Sequence, residues 1–231
     1  MPTLSEAEIA SLLTPYLPDA APLVLSRTVL SRLAVYLELL LKWNARTNLT
    51  AIRDPEEIVR RHFGESLFAG QHLAPGANTL LDFGSGAGFP GLPIAILHPE
   101  IAVTLAESQN KKATFLREVV RTLAIPVEIW AARVETMPEA RQFHTITLRA
   151  VDNMASALAA AAPRATNDLL LLAGPPHPRP PASSSSLPFR SPPPNQPSWF
   201  VPPAMMPPAI NCSTWNKDFH TFSPETPQFR P

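Results

Sequence analysis

The chain has 231 residues, with 19 Lys and Arg against 19 Asp and Glu and a formal net charge of zero, so it is not a globally basic nucleic-acid binder, and any RNA contact must come from a local patch. Its single cysteine, Cys212, excludes a disulfide framework and a multi-cysteine metal site and agrees with a reducing compartment. Apolar runs such as 169–173 fall far short of the roughly 20 residues of a bilayer span, and residues 1–10 lack a signal-peptide pattern; a soluble cytoplasmic protein with no membrane partner is expected.

Ser5 followed by Glu8 forms a capping box, and Ile9, Leu12 and Leu13 follow at helical spacing, which predicts a short amino-terminal helix. Val29, Leu30, Leu33, Tyr36, Leu37, Leu40 and Leu41 make one apolar stripe on a longer helix ending near Trp43 and Asn44. Asp54 before Pro55, with Glu57 behind, starts a helix expected to run to about Phe68. From Asn78 the pattern alternates: strand 79–83, glycine loop, helix 90–98, strand 102–107, helix 111–124, strand 127–132, strand 143–150, helix 154–162 and strand 169–173. That order specifies an α/β fold, a mostly parallel sheet covered by helices, with its ligand crevice at the carboxyl ends of the strands. The expected division is a helical cap over 1–77, a cofactor-binding core over 78–174 and a tail over 175–231.

Proline marks the tail: 17 of the 29 prolines, but one of the eight glycines, lie in 165–231. Runs such as Pro192-Pro193-Pro194 lack the backbone donors that helix or sheet needs, so 175–231 is expected to be largely disordered, with a polyproline ligand as the functional alternative. Trp199, Phe200, Trp215, Phe219 and Phe222 are unusual for such a segment.

The chemistry concentrates after the first strand. Asp82-Phe83-Gly84-Ser85-Gly86-Ala87-Gly88 places glycines where a strand turns sharply into a helix, so that backbone can approach a nucleotide-like ligand. Gly86, Gly88 and Gly91 also spell G-x-G-x-x-G, the dinucleotide fingerprint, which nominates an NAD-dependent oxidoreductase as the rival reading. Asp82, two residues before Gly84, tips the balance toward the first motif of class I methyltransferases. Glu107, 23 residues after Gly84, ends the second strand where a carboxylate can accept hydrogen bonds from both ribose hydroxyls; it supports an adenosine-type cofactor without separating the two readings. Arg149 falls at the carboxyl end of the fourth strand, facing the crevice. Arg53, Arg60, Arg61, His62, Lys111 and Lys112 are the cations placed to hold RNA phosphates, with His62 equally readable as a packing residue.

Several motifs in fixed order carry a family resemblance: Lys42-Trp43-Asn44 with Asn48-Leu49-Thr50, Arg53-Asp54-Pro55, Arg61-His62-Phe63-Gly64-Glu65-Ser66, Leu105-Ala106-Glu107-Ser108, Lys111-Lys112-Ala113-Thr114-Phe115-Leu116, Ala132-Arg133-Val134-Glu135 and Leu148-Arg149-Ala150. Over about 29–174 the chain resembles the ribosomal small subunit methyltransferase G family. The resemblance implies a Rossmann-like class I methyltransferase using S-adenosyl-L-methionine, and methylation of guanine N7 in 16S rRNA of the small ribosomal subunit. It further implies that Gly84 and Phe89 line the cofactor pocket, Glu107 holds ribose, Val134 and Glu135 border adenine, and Arg149 is the cofactor-site arginine and the candidate catalytic residue. Guanine N7 carries a free lone pair and no proton, so alignment suffices and no general base is obligatory.

Two departures stand out. His144 replaces an acidic residue usual in the family, and after Ala173-Gly174 the family's further helix and two strands give way to proline-rich sequence. The expectation is a five-stranded sheet with one edge unpaired, a change of reading frame near 165–180, and, as an alternative to turnover, an inactive remnant that binds cofactor or RNA.

Overall fold

The structure, a computed structural model, describes residues 4–17, 25–151 and 153–172, together with the backbone of Thr221–Phe222. Apart from Thr221 and Phe222, the expected disordered tail 175–231, with the aromatics Trp199, Phe200, Trp215 and Phe219, lies outside the described residues.

Helix α1 (Glu6–Leu13) begins at a reciprocal box: the Glu8 amide donates to the Ser5 hydroxyl at 3.3 Å and the Ser5 amide to the Glu8 carboxylate at 2.8 Å. Helix α2 (Arg27–Asn44) is capped by Ser26 and buries Val29, Leu33, Tyr36, Leu37 and Leu40, the stripe read from the sequence. The single helix expected from Asp54 to Phe68 is instead three pieces: α3 (Pro55–Ile58), a π-helical stretch Val59–Gly64, and α4 (Glu65–Gln71). Asp54 does cap it, accepting from the Glu57 amide at 2.8 Å. The widening accompanies side-chain capture of its carbonyls. Arg149 Nη2 donates to the Arg61 carbonyl at 3.1 Å, and the Ser66 hydroxyl donates to the His62 carbonyl.

The sheet comprises β1 (Thr79–Phe83), β2 (Ala102–Ala106), β3 (Glu128–Trp130), β4 (Phe143–Arg149), β5 (Ala165–Leu172) and β6 (Thr221–Phe222), in the order β3-β2-β1-β4-β5-β6. The first five are parallel; β6 runs antiparallel to β5. Helices α5 (Gly91–Leu97), α6 (Asn110–Leu123) and α7 (Met154–Ala161) are the connections between strands. The chain starts in the middle at β1 and winds outward in both directions, so the crossovers leaving β1 and β4 diverge and open a crevice above their carboxyl ends.

Two expectations are corrected here. Strand β5 begins at Ala165, four residues before the expected 169, because Phe143 and Thr145 of β4 pair with Ala165 and Asp168 despite the polar sequence there. The register shifts around His144, whose amide donates to the Thr79 hydroxyl at 2.8 Å. The β5 edge is not bare either: Leu169 and Leu170 pair with Phe222 and Thr221.

Alternating residues of the strands feed opposite faces. Leu80, Val103 and Leu105 join a cluster with Ile9, Leu33, Tyr36, Leu37, Phe63 and Phe115, so the amino-terminal helices and the sheet share one core across residue 77. Leu81, Ile146 and Leu148 join Ala157 and Ala161 on the other face. Each fully buried Leu or Ile contributes about 1.5–3 kcal/mol. Among the described residues no helix is long and apolar enough to cross a membrane.

Candidate functional site

A cavity of about 510 Å³ opens at the carboxyl ends of β1, β2 and β4. That volume lies in the ordinary range for a small-molecule or cofactor site. Its floor is the turn from Phe83 to Phe89, and its walls carry Glu107, Lys112, Arg133, Glu135 and Arg149.

The turn is fixed from below. Asp82 is 1% exposed and does not line the cavity; its Oδ2 accepts from the Gly91 amide at 3.1 Å and its Oδ1 from the Thr147 hydroxyl at 2.9 Å. Burial lifts its pKa from 3.8 to about 6, against those hydrogen bonds, which act to lower it. The residue that tipped the sequence reading is thus a buried clamp across the loop. Gly91 can only be glycine, because an added Cβ would lie 2.8 Å from Asp82 Cβ. Gly88 has φ +97°, and its Cβ would lie 2.8 Å from the Tyr36 hydroxyl, which donates to the Ala87 carbonyl at 2.5 Å.

Glu107 follows directly on β2 and is 5% exposed. Its carboxylate accepts from the Gly86 amide at 2.9 Å and the Gln109 amide at 2.7 Å, tying the glycine turn to the start of α6. Two carboxylate oxygens hold about four acceptor positions, so two remain for ligand hydroxyls. Val134 is buried and Glu135 exposed on a short helical turn at the same rim. Gly84 and Phe89 both line the cavity, and Phe89 lies under Tyr36 and His62 with ring centroids 5.3 and 4.7 Å away.

Arg149 reaches the cavity, but its guanidinium is committed. Nη2 donates to Glu65 Oε2 at 3.0 Å and to His62 Nδ1 at 2.9 Å, besides the Arg61 carbonyl. Burial pushes the Glu65 carboxyl up and the Arg149 guanidinium down from their ordinary values, and their pairing opposes both. Ala150, next in the chain, takes φ +49° at the cavity edge.

The expected RNA cations separate into three groups. Lys111 is exposed at the start of α6 and Lys112 lines the cavity, neither with a side-chain partner among the described residues. Arg60 pairs with Glu56 at 2.8 Å, Arg61 with Glu65 at 3.3 Å, and Arg53 donates to the Asn44 carbonyl and to Asn48 Oδ1. Burial, reinforced by Arg149 and Arg61, lowers the His62 pKa to about 3, which favours the packing reading of this residue over the phosphate-holding one.

Sequence reasoning missed Asn44, Thr50 and Glu65 as site residues, and took Tyr36 only as part of an apolar stripe. The one available signal was Tyr36 itself, since a buried hydroxyl needs a partner. Asn44, buried at the end of α2, accepts from the Leu49 and Thr50 amides and donates to the Thr50 and Ile52 carbonyls, all within 3.3 Å. It thereby builds the loop that puts Leu49 and Thr50 on the cavity wall.

A parallel sheet winding outward from β1, a glycine turn after β1 and an acid after β2 define a Rossmann-like class I methyltransferase fold. The sequence model of the rRNA small subunit methyltransferase G family matches residues 29–175, and the chain belongs to that family. Ribosomal RNA small subunit methyltransferase G of Xylella fastidiosa (strain M23) is 47% identical over 133 residues, 57% of this chain and 62% of the relative. That of Xanthomonas campestris pv. campestris (strain B100) is 45% identical over 125 residues, 54% of this chain and 58% of the relative. The chain thus spans about three fifths of the curated relatives it matches. Among solved structures, a putative O-methyltransferase from Klebsiella pneumoniae aligns with a TM-score of 0.44 and 18% identity over 59% of this chain and 63% of its own. Family membership gives no support to the oxidoreductase reading of Gly86, Gly88 and Gly91.

Proposed function

We propose that the chain binds S-adenosyl-L-methionine in this cavity and methylates N7 of a guanine in 16S rRNA of the small ribosomal subunit, in the cytoplasm. Family membership supports the reaction class. The observation that carries the reading is the joint between Glu107 and the glycine turn: one buried carboxylate anchors Gly86 and Gln109 and keeps acceptor positions for two ribose hydroxyls. Val134 and Glu135 would border the base on the β3 side, and Gly84 and Phe89 would line the opposite end. Bound there, S-adenosylmethionine supplies an electrophilic methyl group.

The residues at the β4 end favour an acceptor that needs no deprotonation. His62 has both ring nitrogens engaged, by Arg149 and by Thr50, and with a pKa near 3 it is a poor base. Guanine N7 presents its lone pair without losing a proton, so this chain's part is to orient the base and exclude water. Of the cations nominated from the sequence, Lys111 and Lys112 have no side-chain partner among the described residues and are placed to hold RNA phosphates beside the cavity, whereas Arg53, Arg60 and Arg61 are already engaged. Within this reading the described residues of the expected cap 1–77 supply the wall facing RNA and those of the expected core 78–174 the cofactor floor.

The test is transfer of a labelled methyl group from S-adenosylmethionine to 16S rRNA in small ribosomal subunits by the 231-residue chain. Label at one guanine, released as 7-methylguanine, is the expected result. Cofactor binding without transfer would establish a binding remnant instead.

A further inference from the structure

We infer that the Thr50 hydroxyl is a donor-only group that selects a base carrying a hydrogen-bond acceptor beside the methylated nitrogen, as guanine O6 stands beside N7. The inference rests on the proposed reading of the cavity and adds the residue that tells guanine from adenine.

Hydrogen-bond bookkeeping gives the polarity. An arginine can only donate, so Arg149 Nη2, 2.9 Å from His62 Nδ1, makes that nitrogen the acceptor and puts the imidazole proton on Nε2. His62 Nε2 therefore donates to Thr50 Oγ1, at 2.7 Å. The Ile52 amide also donates to Thr50 Oγ1, at 3.2 Å. Both lone pairs of the hydroxyl are thereby occupied, while no group among the described residues accepts its proton. Thr50 lies on the cavity wall, and Asn44 fixes its backbone through both its amide and its carbonyl. The chain Glu65, Arg149, His62, Thr50 thus points one proton into the cavity from the direction of the amino-terminal helices.

The placement assigns this proton to the acceptor base. Glu107, Val134 and Glu135, which suit a nucleoside, follow β2 and β3. Arg149 ends β4, on the other side of β1, and with it stand His62 and Thr50. In the major-groove edge guanine offers two acceptors, N7 and O6, whereas adenine offers N7 beside an amino donor. A donor-only hydroxyl pairs with the first and opposes the second. Its effect is orientation and discrimination, so it should be read in kcat/KM.

The experiment uses the full chain with S-adenosylmethionine and small ribosomal subunits reconstituted with guanosine, inosine or 2-aminopurine riboside at the methylated position. Inosine keeps O6; 2-aminopurine lacks it. Wild type should methylate guanosine and inosine at comparable kcat/KM and 2-aminopurine at least about tenfold more slowly, the loss expected for one good hydrogen bond. Thr50→Val should lose about tenfold on guanosine and nothing further on 2-aminopurine, and Thr50→Ser should restore most of the guanosine rate, all with unchanged cofactor affinity. The comparison of bases in wild type stands even where Thr50→Val folds poorly. Equal sensitivity of wild type and Thr50→Val to removal of O6 would overturn the inference while leaving methylation of guanine intact. Loss of cofactor affinity in Thr50→Val with turnover of 2-aminopurine unaffected in wild type would move Thr50 to the cofactor and overturn it too. No transfer to any base by wild type would overturn the proposed function and this inference with it.

Discussion

Asp82→Asn should change how stability depends on pH, and the size follows from the geometry beneath the glycine turn. The buried carboxyl ionises near pH 6 in the folded chain against an ordinary value of 3.8, so holding its charge at pH 7 costs about 3 kcal/mol. Between those values the unfolded chain has released the proton and the folded chain still holds it. The contribution is therefore full below pH 3.8 and is lost as pH rises through about 6. Asparagine fits the same hydrogen bonds: its oxygen can face the Gly91 amide and its amino group the Thr147 hydroxyl, which can turn to the Leu81 carbonyl 3.5 Å away. The variant carries no ionisable group there. Its stability relative to wild type should rise by about 2 kcal/mol between pH 4.5 and 7, as a share of the full 3 kcal/mol falls outside that window. Urea unfolding of both proteins across this range, with equal slopes against denaturant, measures the difference directly. A difference that stays constant to within about 0.5 kcal/mol would refute the reasoning and leave Asp82 ionised at no cost in its burial.

Three further outcomes are expected. Tyr36→Phe removes the donor to the Ala87 carbonyl and should cost about 1–3 kcal/mol in urea unfolding; a loss under about 0.5 kcal/mol would mean the carbonyl finds water instead. Glu107→Ala should weaken S-adenosylmethionine binding by about 1–3 kcal/mol by calorimetry, and unchanged affinity would remove Glu107 from the site. Lys111→Ala combined with Lys112→Ala should lower RNA affinity and flatten its salt dependence by about one power of salt per lysine, with cofactor affinity constant; an unaltered slope would return both lysines to ordinary surface.

The parts of this molecule legible in its sequence are those governed by neighbours in the chain. Ser5 with Glu8 and Asp54 with Glu57 read as caps because the partners lie three residues apart, and both form. Leu80 and Leu81 facing opposite cores follow from strand alternation, and the glycine turn follows from spacing alone. The π-helical stretch Val59–Gly64 was illegible because what engages the Arg61 carbonyl is Arg149, 88 residues away. The hydroxyl of Tyr36 finds its partner across 51 residues, and the periodicity that placed the ring correctly says nothing about the oxygen. Strand β5 starts four residues before the expected 169 because pairing with β4 carries the polar residues Thr166, Asn167 and Asp168 into the sheet, against the weak local strand preference of Asn167 and Asp168.

The Glu65 and Arg149 pair shows why a costly arrangement is retained. Both side chains are largely withdrawn from water, 9% and 15% exposed, and burial opposes both charges. In other proteins such pairs can often be replaced by apolar residues without loss of stability, so stability is a weak explanation for this one. What an apolar replacement could not supply is direction. Only an obligate donor at Arg149 forces His62 Nδ1 to accept, and only a pair with Glu65 holds that donor beside the ring. With a leucine or methionine in its place, the imidazole proton would be free to sit on either nitrogen, and Thr50 could turn its own proton toward His62 instead of the cavity. The buried charge therefore sets the polarity of a neutral chain of hydrogen bonds, and that polarity, carried from β4 into the amino-terminal helices, gives the cavity wall a fixed donor.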